Sequence, residues 1–197
     1  MNDEHRYGLS ARETAFCGLF GAAALLLPVL FHLFHVGHIF MPMYIPLVAL
    51  AYFVRPLPAA VTALVTPLIS GAVTGMPPFF PPVAVFMAIE LSLMAAAIAA
   101  VMQCRPSTNE WLVLVPVLIM GRVLYVGLVY LFSIFMELPA GFMAGLSFVS
   151  GWPGIVLMLV VVPVIARAGH PARAGHASRA GNPGPAPGGR EKGNSDD

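Results

Sequence analysis

Ten lysines and arginines are all that this 197-residue chain carries, and their position relative to the long apolar runs constrains it most. Apolar segments cover residues 11–35, 41–54, 59–74, 83–103, 111–136 and 142–166. Repeated runs of this kind read as a polytopic membrane protein, because a helix of about 20 apolar residues crosses the ~30 Å hydrocarbon core. Arg6 precedes the first run and Arg12 stands at its start, Arg55 joins the second to the third, and Arg105 joins the fourth to the fifth. Arg167, Arg173, Arg179, Arg190 and Lys192 follow the sixth, whereas the connections 36–40, 75–82 and 137–141 hold no Lys or Arg. Nine of the ten cations therefore fall on one side. By the positive-inside rule that side is the cytoplasm, and both termini lie there.

The expected architecture is an all-α membrane protein, a six-transmembrane-helix bundle over residues 1–167. Residues 168–197 are Gly, Pro, Ala, Arg and Ser with few large apolar side chains. Such a stretch cannot offset the entropy of ordering, so a disordered cytoplasmic tail is expected there. The second and third runs are short for a span. Little tilt, cover from neighbouring helices, or a break around Pro42 and Pro46 would each accommodate this.

Composition narrows the function. Hydrophobic residues make up 58% and charged residues 10%, which excludes an ordinary soluble domain, and one cleaved signal peptide cannot produce six runs. The net charge of +1 gives nucleic acid nothing to bind. Cys17 and Cys104 lack CxxC or Cys/His spacing and lie near the arginine-bearing side, so neither a disulfide nor a metal or redox centre is expected on them.

The tenth cation, Arg122, falls inside a run, as does one carboxylate, Glu90. At ~1.5 Å per residue, Glu90 lies about 10 Å below the outer face. Arg122, rising from the opposite side, lies about 13 Å below it in a ~30 Å core. Two opposite charges at one level on consecutive helices should meet each other or a common ligand, since each alone is costly in hydrocarbon. Two readings are open: an ion pair that fixes packing, and a pair that also lines a solute pocket. Tyr125, three residues beyond Arg122, shares its helix face and can add a hydroxyl.

His32, His35 and His38 recur at spacing three near the outer end of the first run. Interfacial histidines, polar contacts to a solute, and a metal site are the alternatives; no acid or cysteine nearby in sequence completes the last. The string Gly75-Met76-Pro77-Pro78-Phe79-Phe80-Pro81-Pro82 makes a stiff outer loop. Its Phe79 and Phe80 are either interface anchors or a lid. Trp152, between Gly151 and Pro153-Gly154, has the same two readings. Ala11 with Ala15, and Gly18 with Ala22, give the first helix small residues at spacing four, which permit close helix approach in lipid.

Met41-Pro42-Met43-Tyr44-Ile45-Pro46, the loop 75–82, the Glu90 helix, Gly121-Arg122 and Gly151-Trp152-Pro153-Gly154 together resemble the substrate-binding S components of energy-coupling factor transporters, the vitamin importers of bacteria. The resemblance spans residues 11–167 and rests on the six-span layout and diffuse motifs. It implies a bundle in the bacterial inner membrane, with an outward-opening solute pocket closed by the first, third and fifth loops. It also implies docking on a membrane T component driven by two cytoplasmic ATPases, followed by toppling of the S subunit. The family's first-helix small-residue motif has its nearest match in Ala11/Ala15 or Gly18/Ala22, though neither reproduces it cleanly. The chain has no GxxxxGK[ST] motif, as expected of a subunit energised by others.

The resulting expectation is a non-enzymatic solute carrier without cofactor or metal. Its site comprises Glu90, Arg122 and Tyr125, with Tyr44, Phe79, Phe80, Trp152 and His32 or His35 from above. The alternatives are a structural six-span scaffold with no solute and an intramembrane enzyme. For the latter, Ser150 has only a distant histidine as base and Glu90 has no second acid.

Overall fold

Ser10 sets where the first helix begins. Its hydroxyl accepts from the Glu13 backbone N–H at 3.2 Å, and Glu13 Oε2 accepts from the Ser10 N–H at 3.2 Å. This reciprocal capping box satisfies donors that a helix start leaves open. In the computed structural model, which describes residues 9–33, 42–80, 82–136 and 152–168, α1 then runs Ala11–Leu33. It is followed by α2 Tyr44–Leu50, α3 Pro56–Thr74, α4 Val83–Cys104, α5 Glu110–Met136 and α6 Trp152–Ala168. Among the described residues there is no strand.

Helices α1, α3, α4 and α5 are long and apolar enough to cross a membrane, the layout of a multi-pass helical membrane protein. The outward faces agree: Leu19 and Leu26 on α1 are 66% and 67% exposed, which suits hydrocarbon and not water. Of the sixth apolar run, the described part is α6, 17 residues long.

The second run is not one membrane-length helix. Its helix α2 has seven residues, all buried, and at ~1.5 Å per residue it covers about 10 Å. The N–H groups of Tyr52 and Phe53 bond to the carbonyls of Ala49 and Leu50 at 3.1 and 2.9 Å, winding the helix down in tight turns. Arg55 is then extended (φ −65°, ψ 161°) because Pro56 follows, and Pro56 opens α3, where a missing N–H leaves no bond unmade. Packed on by α1, α3, α4 and α6, α2 is the centre of the bundle. α3 pairs along most of α4, and α5 lies against α4 and α6.

At the far end of α3, Gly75 takes a left-handed conformation (φ 75°, ψ 2°) and its N–H bonds to Gly71 O. The chain then folds back: Ser70 Oγ donates to Met76 O at 2.7 Å. Gly71 permits this approach. A Cβ there would stand 2.7 Å from the Pro77 carbonyl oxygen and 3.0 Å from the Phe79 ring. Gly71→Ala should therefore push the loop off α3. A loss of about 1–3 kcal/mol, seen as a melting temperature lower by several degrees, is expected. An unchanged melting temperature would show that the loop has no tight seat on α3.

Candidate functional site

Tyr44 opens α2, Glu90 sits about two turns into α4, and Gly121-Arg122 lies midway along α5. The Tyr44 hydroxyl donates to Glu90 Oε2. The Arg122 guanidinium carbon stands 5.2 Å from the centroid of the same Tyr44 ring, a cation–π distance. One aromatic ring thus separates base from acid, its face toward the guanidinium and its hydroxyl toward the carboxylate. Tyr125, also buried on α5, is an electrostatic neighbour of Tyr44. The structure brings these four side chains together from three helices.

Glu90 has no exposed surface. Its Oε2 takes the Tyr44 hydrogen bond, but Oε1 has no hydrogen-bond donor among the described residues. Oε1 lies 3.2 Å from the point where a Cβ on Gly121 would stand, and Met94 Sδ lies closer still. Gly121 and Glu90 are therefore at one level, and α4 and α5 touch there through an absent side chain. A carboxylate oxygen buried without a donor is expensive, by about 1–3 kcal/mol or more for a charged group. What this arrangement can do chemically is accept an N–H or O–H from something that arrives.

Other expected site residues are placed elsewhere. Phe79 is turned onto Gly71 of α3, and Phe80 stands out from the loop at 73% exposure. His32 lies in the last turn of α1 and Trp152 is the first residue of α6, but their side chains fall outside the described residues. His35, His38 and Ser150 fall wholly outside them, as do residues 169–197 of the expected tail. Ala11, Ala15, Gly18 and Ala22 are exposed along α1, and nothing approaches within 4 Å of a Cβ on Gly18. Instead α1 packs inward through Phe16 and Phe20, both stacked on Phe53. Among the described residues no group of three His, Cys, Asp or Glu is placed to hold a metal.

The sequence singles out Glu90 among the carboxylates, but the structure buries two more. Glu13 and Glu110 are also buried, 9% and 7% exposed, each at the start of a helix. Glu13 Oε1 accepts from Arg55 Nε at 2.9 Å and from its backbone N–H at 3.1 Å, while Oε2 accepts from Arg55 Nη2 at 3.0 Å. These bonds and the carboxylate's charge raise the Arg55 pKa above its ordinary value. Glu110 pairs with Arg167 at 3.3 Å, and Tyr52 donates its hydroxyl to the Glu110 carbonyl at 3.2 Å. The signal for Glu13 was legible: Ser10-x-x-Glu13 ahead of an apolar run is a capping-box pattern. Nothing local marked its pairing with Arg55, 42 residues away.

These contacts gather Arg55, Arg105 and Arg167 at one end of the bundle, together with the α1 start that carries Arg12. Comparison with known proteins gives no match to a family model, a curated protein or a solved structure.

Proposed function

We propose that the chain is the solute-binding membrane subunit of an energy-coupling factor type importer. In this reading it is a six-span bundle in a bacterial inner membrane with both termini in the cytoplasm. It captures a vitamin or vitamin precursor from outside and passes it inward with a T component and two ATPases. The observation that supports this is the Glu90 carboxylate, buried with one oxygen lacking a donor among the described residues and linked through Tyr44 to Arg122.

The chemistry is recognition and not bond-making. A solute N–H or O–H completes the hydrogen bonding of Glu90, and Tyr125 can add a hydroxyl to the same site. Arg122 supplies positive charge to an acidic group on the solute. A buried acid is retained in lipid despite its cost when a ligand repays it. The outward small-residue stripe of α1 suits a membrane partner such as a T component.

Thermal unfolding of the purified protein with a panel of vitamins and precursors tests the reading. At least one compound should raise the melting temperature, and Tyr44→Phe should weaken that compound's binding about tenfold, ~1.4 kcal/mol. A panel in which nothing stabilises the protein counts against a carrier. It favours the scaffold, to which the complete burial of Glu90 and the seat of Met94 over Gly121 also lend themselves.

A further inference from the structure

At the arginine-bearing end, remote from the Tyr44 site, a cavity of about 440 Å³ opens between α1 and α4. The α2–α3 connection, residues 51–55, forms its floor; Glu13 stands on one side, Ala99, Met102 and Gln103 on the other, with Pro106 at the rim. Among the described residues α1 and α4 make no extensive contact, so the notch between their ends is left open.

Its chemistry is split. The floor and the α4 wall are mainly apolar: Ala51, Phe53, Val54, Ala99 and Met102. One guanidinium, Arg55, lines it beside one carboxylate, Glu13, and two more, Arg105 and Arg12, belong to its neighbourhood outside the lining. Arg55 lines it, gripped by both oxygens of Glu13. Arg105 stands in the chain between the lining residues Gln103 and Pro106. Arg12 lies 5.4 Å over the ring of Phe16, whose stacking partner at 5.1 Å is Phe53 of the floor. The whole sits where the apolar helices α1 and α3 begin and α4 ends, the depth of lipid headgroups.

We propose that this cavity binds the headgroup and glycerol of an anionic phospholipid from the leaflet on the arginine-bearing side. The phosphate faces the arginines, and the glycerol and first methylenes lie on Phe53 and Met102. A free anion gains nothing from the apolar floor, whereas a zwitterionic lipid lacks the net charge that three arginines in and around the cavity, against one acid, favour. The volume is that of a small-molecule pocket and too small for a folded partner.

The test reconstitutes the full chain in vesicles of phosphatidylcholine alone or with phosphatidylglycerol. The anionic lipid should raise the melting temperature by roughly 2–4 °C. Gln103→Glu, at an exposed lining position, and Met102→Trp, which fills the cavity, should abolish this rise while melting normally in phosphatidylcholine. Ser107→Asp, exposed on the same side but outside the lining, makes the same charge change and should keep it. If Met102→Trp fails to fold, Gln103→Glu against Ser107→Asp decides alone. No rise in the unaltered protein, a rise that Gln103→Glu leaves intact, or equal loss in Ser107→Asp would each overturn the proposal.

Discussion

Arg122→Leu is expected to lower stability by about 2–4 kcal/mol, whereas Glu90→Leu should change it by much less. The asymmetry follows from burial. Glu90 is fully enclosed, with a single hydrogen bond from Tyr44 and one oxygen without a donor among the described residues. Arg122 is only half-buried and stands over the Tyr44 ring. Removing the base leaves an enclosed carboxylate without its positive neighbour. Removing the acid leaves a base that can turn toward the membrane surface, as long cationic side chains do. The double variant should recover most of the loss. Thermal unfolding of the four proteins in one lipid mixture measures this cycle, and a Glu90→Leu protein as unstable as Arg122→Leu would refute the account. Glu90→Leu should nevertheless lose any solute-dependent stabilisation, which separates packing from recognition.

Gly121→Ala should cost about 1–3 kcal/mol, a large effect for one methyl group. The space its Cβ needs is filled by Met94 Sδ, and Glu90 Oε1 is 3.2 Å away. Met94 is itself buried, 1% exposed, so its thioether has little room to retreat. The methyl therefore pushes α5 off α4 or displaces the Glu90 carboxylate from Tyr44. Met94→Ala opens a cavity and is costly by itself. Added to Gly121→Ala, it should cost less than in the parent, because the two changes compensate in volume. Strictly additive losses would mean that Met94 and Gly121 do not share that space.

Several of these features could be read from the chain before any coordinates. Glu90 and Arg122 stood out because ionisable groups are rare in apolar runs, and helix rise alone put them at similar depths. Pro42 and Pro46 warned that the second run was irregular, and α2 is indeed too short to cross. Tyr44 was harder. Its string was noticed, but it was placed among residues reaching in from above. Nothing in the spacing says that a seven-residue helix is buried at the bundle's centre with its first side chain between an acid and a base. Phe79 has a contact that the sequence does not show. A rigid aromatic tip suggested an anchor or lid, yet Gly71 lets the loop fold onto α3 and gives that ring a seat there.

By itself, the sequence determined that this is a helical membrane protein, with Arg12, Arg55, Arg105 and Arg167 near helix ends and Arg122 inside a helix. The reason is that apolar run length and charge placement act locally, against a solvent of fixed thickness and polarity. Only the tertiary structure decided which charges pair. Glu13 with Arg55, Glu110 with Arg167, and Tyr44 between Glu90 and Arg122 are contacts between residues dozens of positions apart. They depend on how the helices are rotated against one another, and that rotation is set by small residues such as Gly121, whose effect appears only when the facing helix is in place.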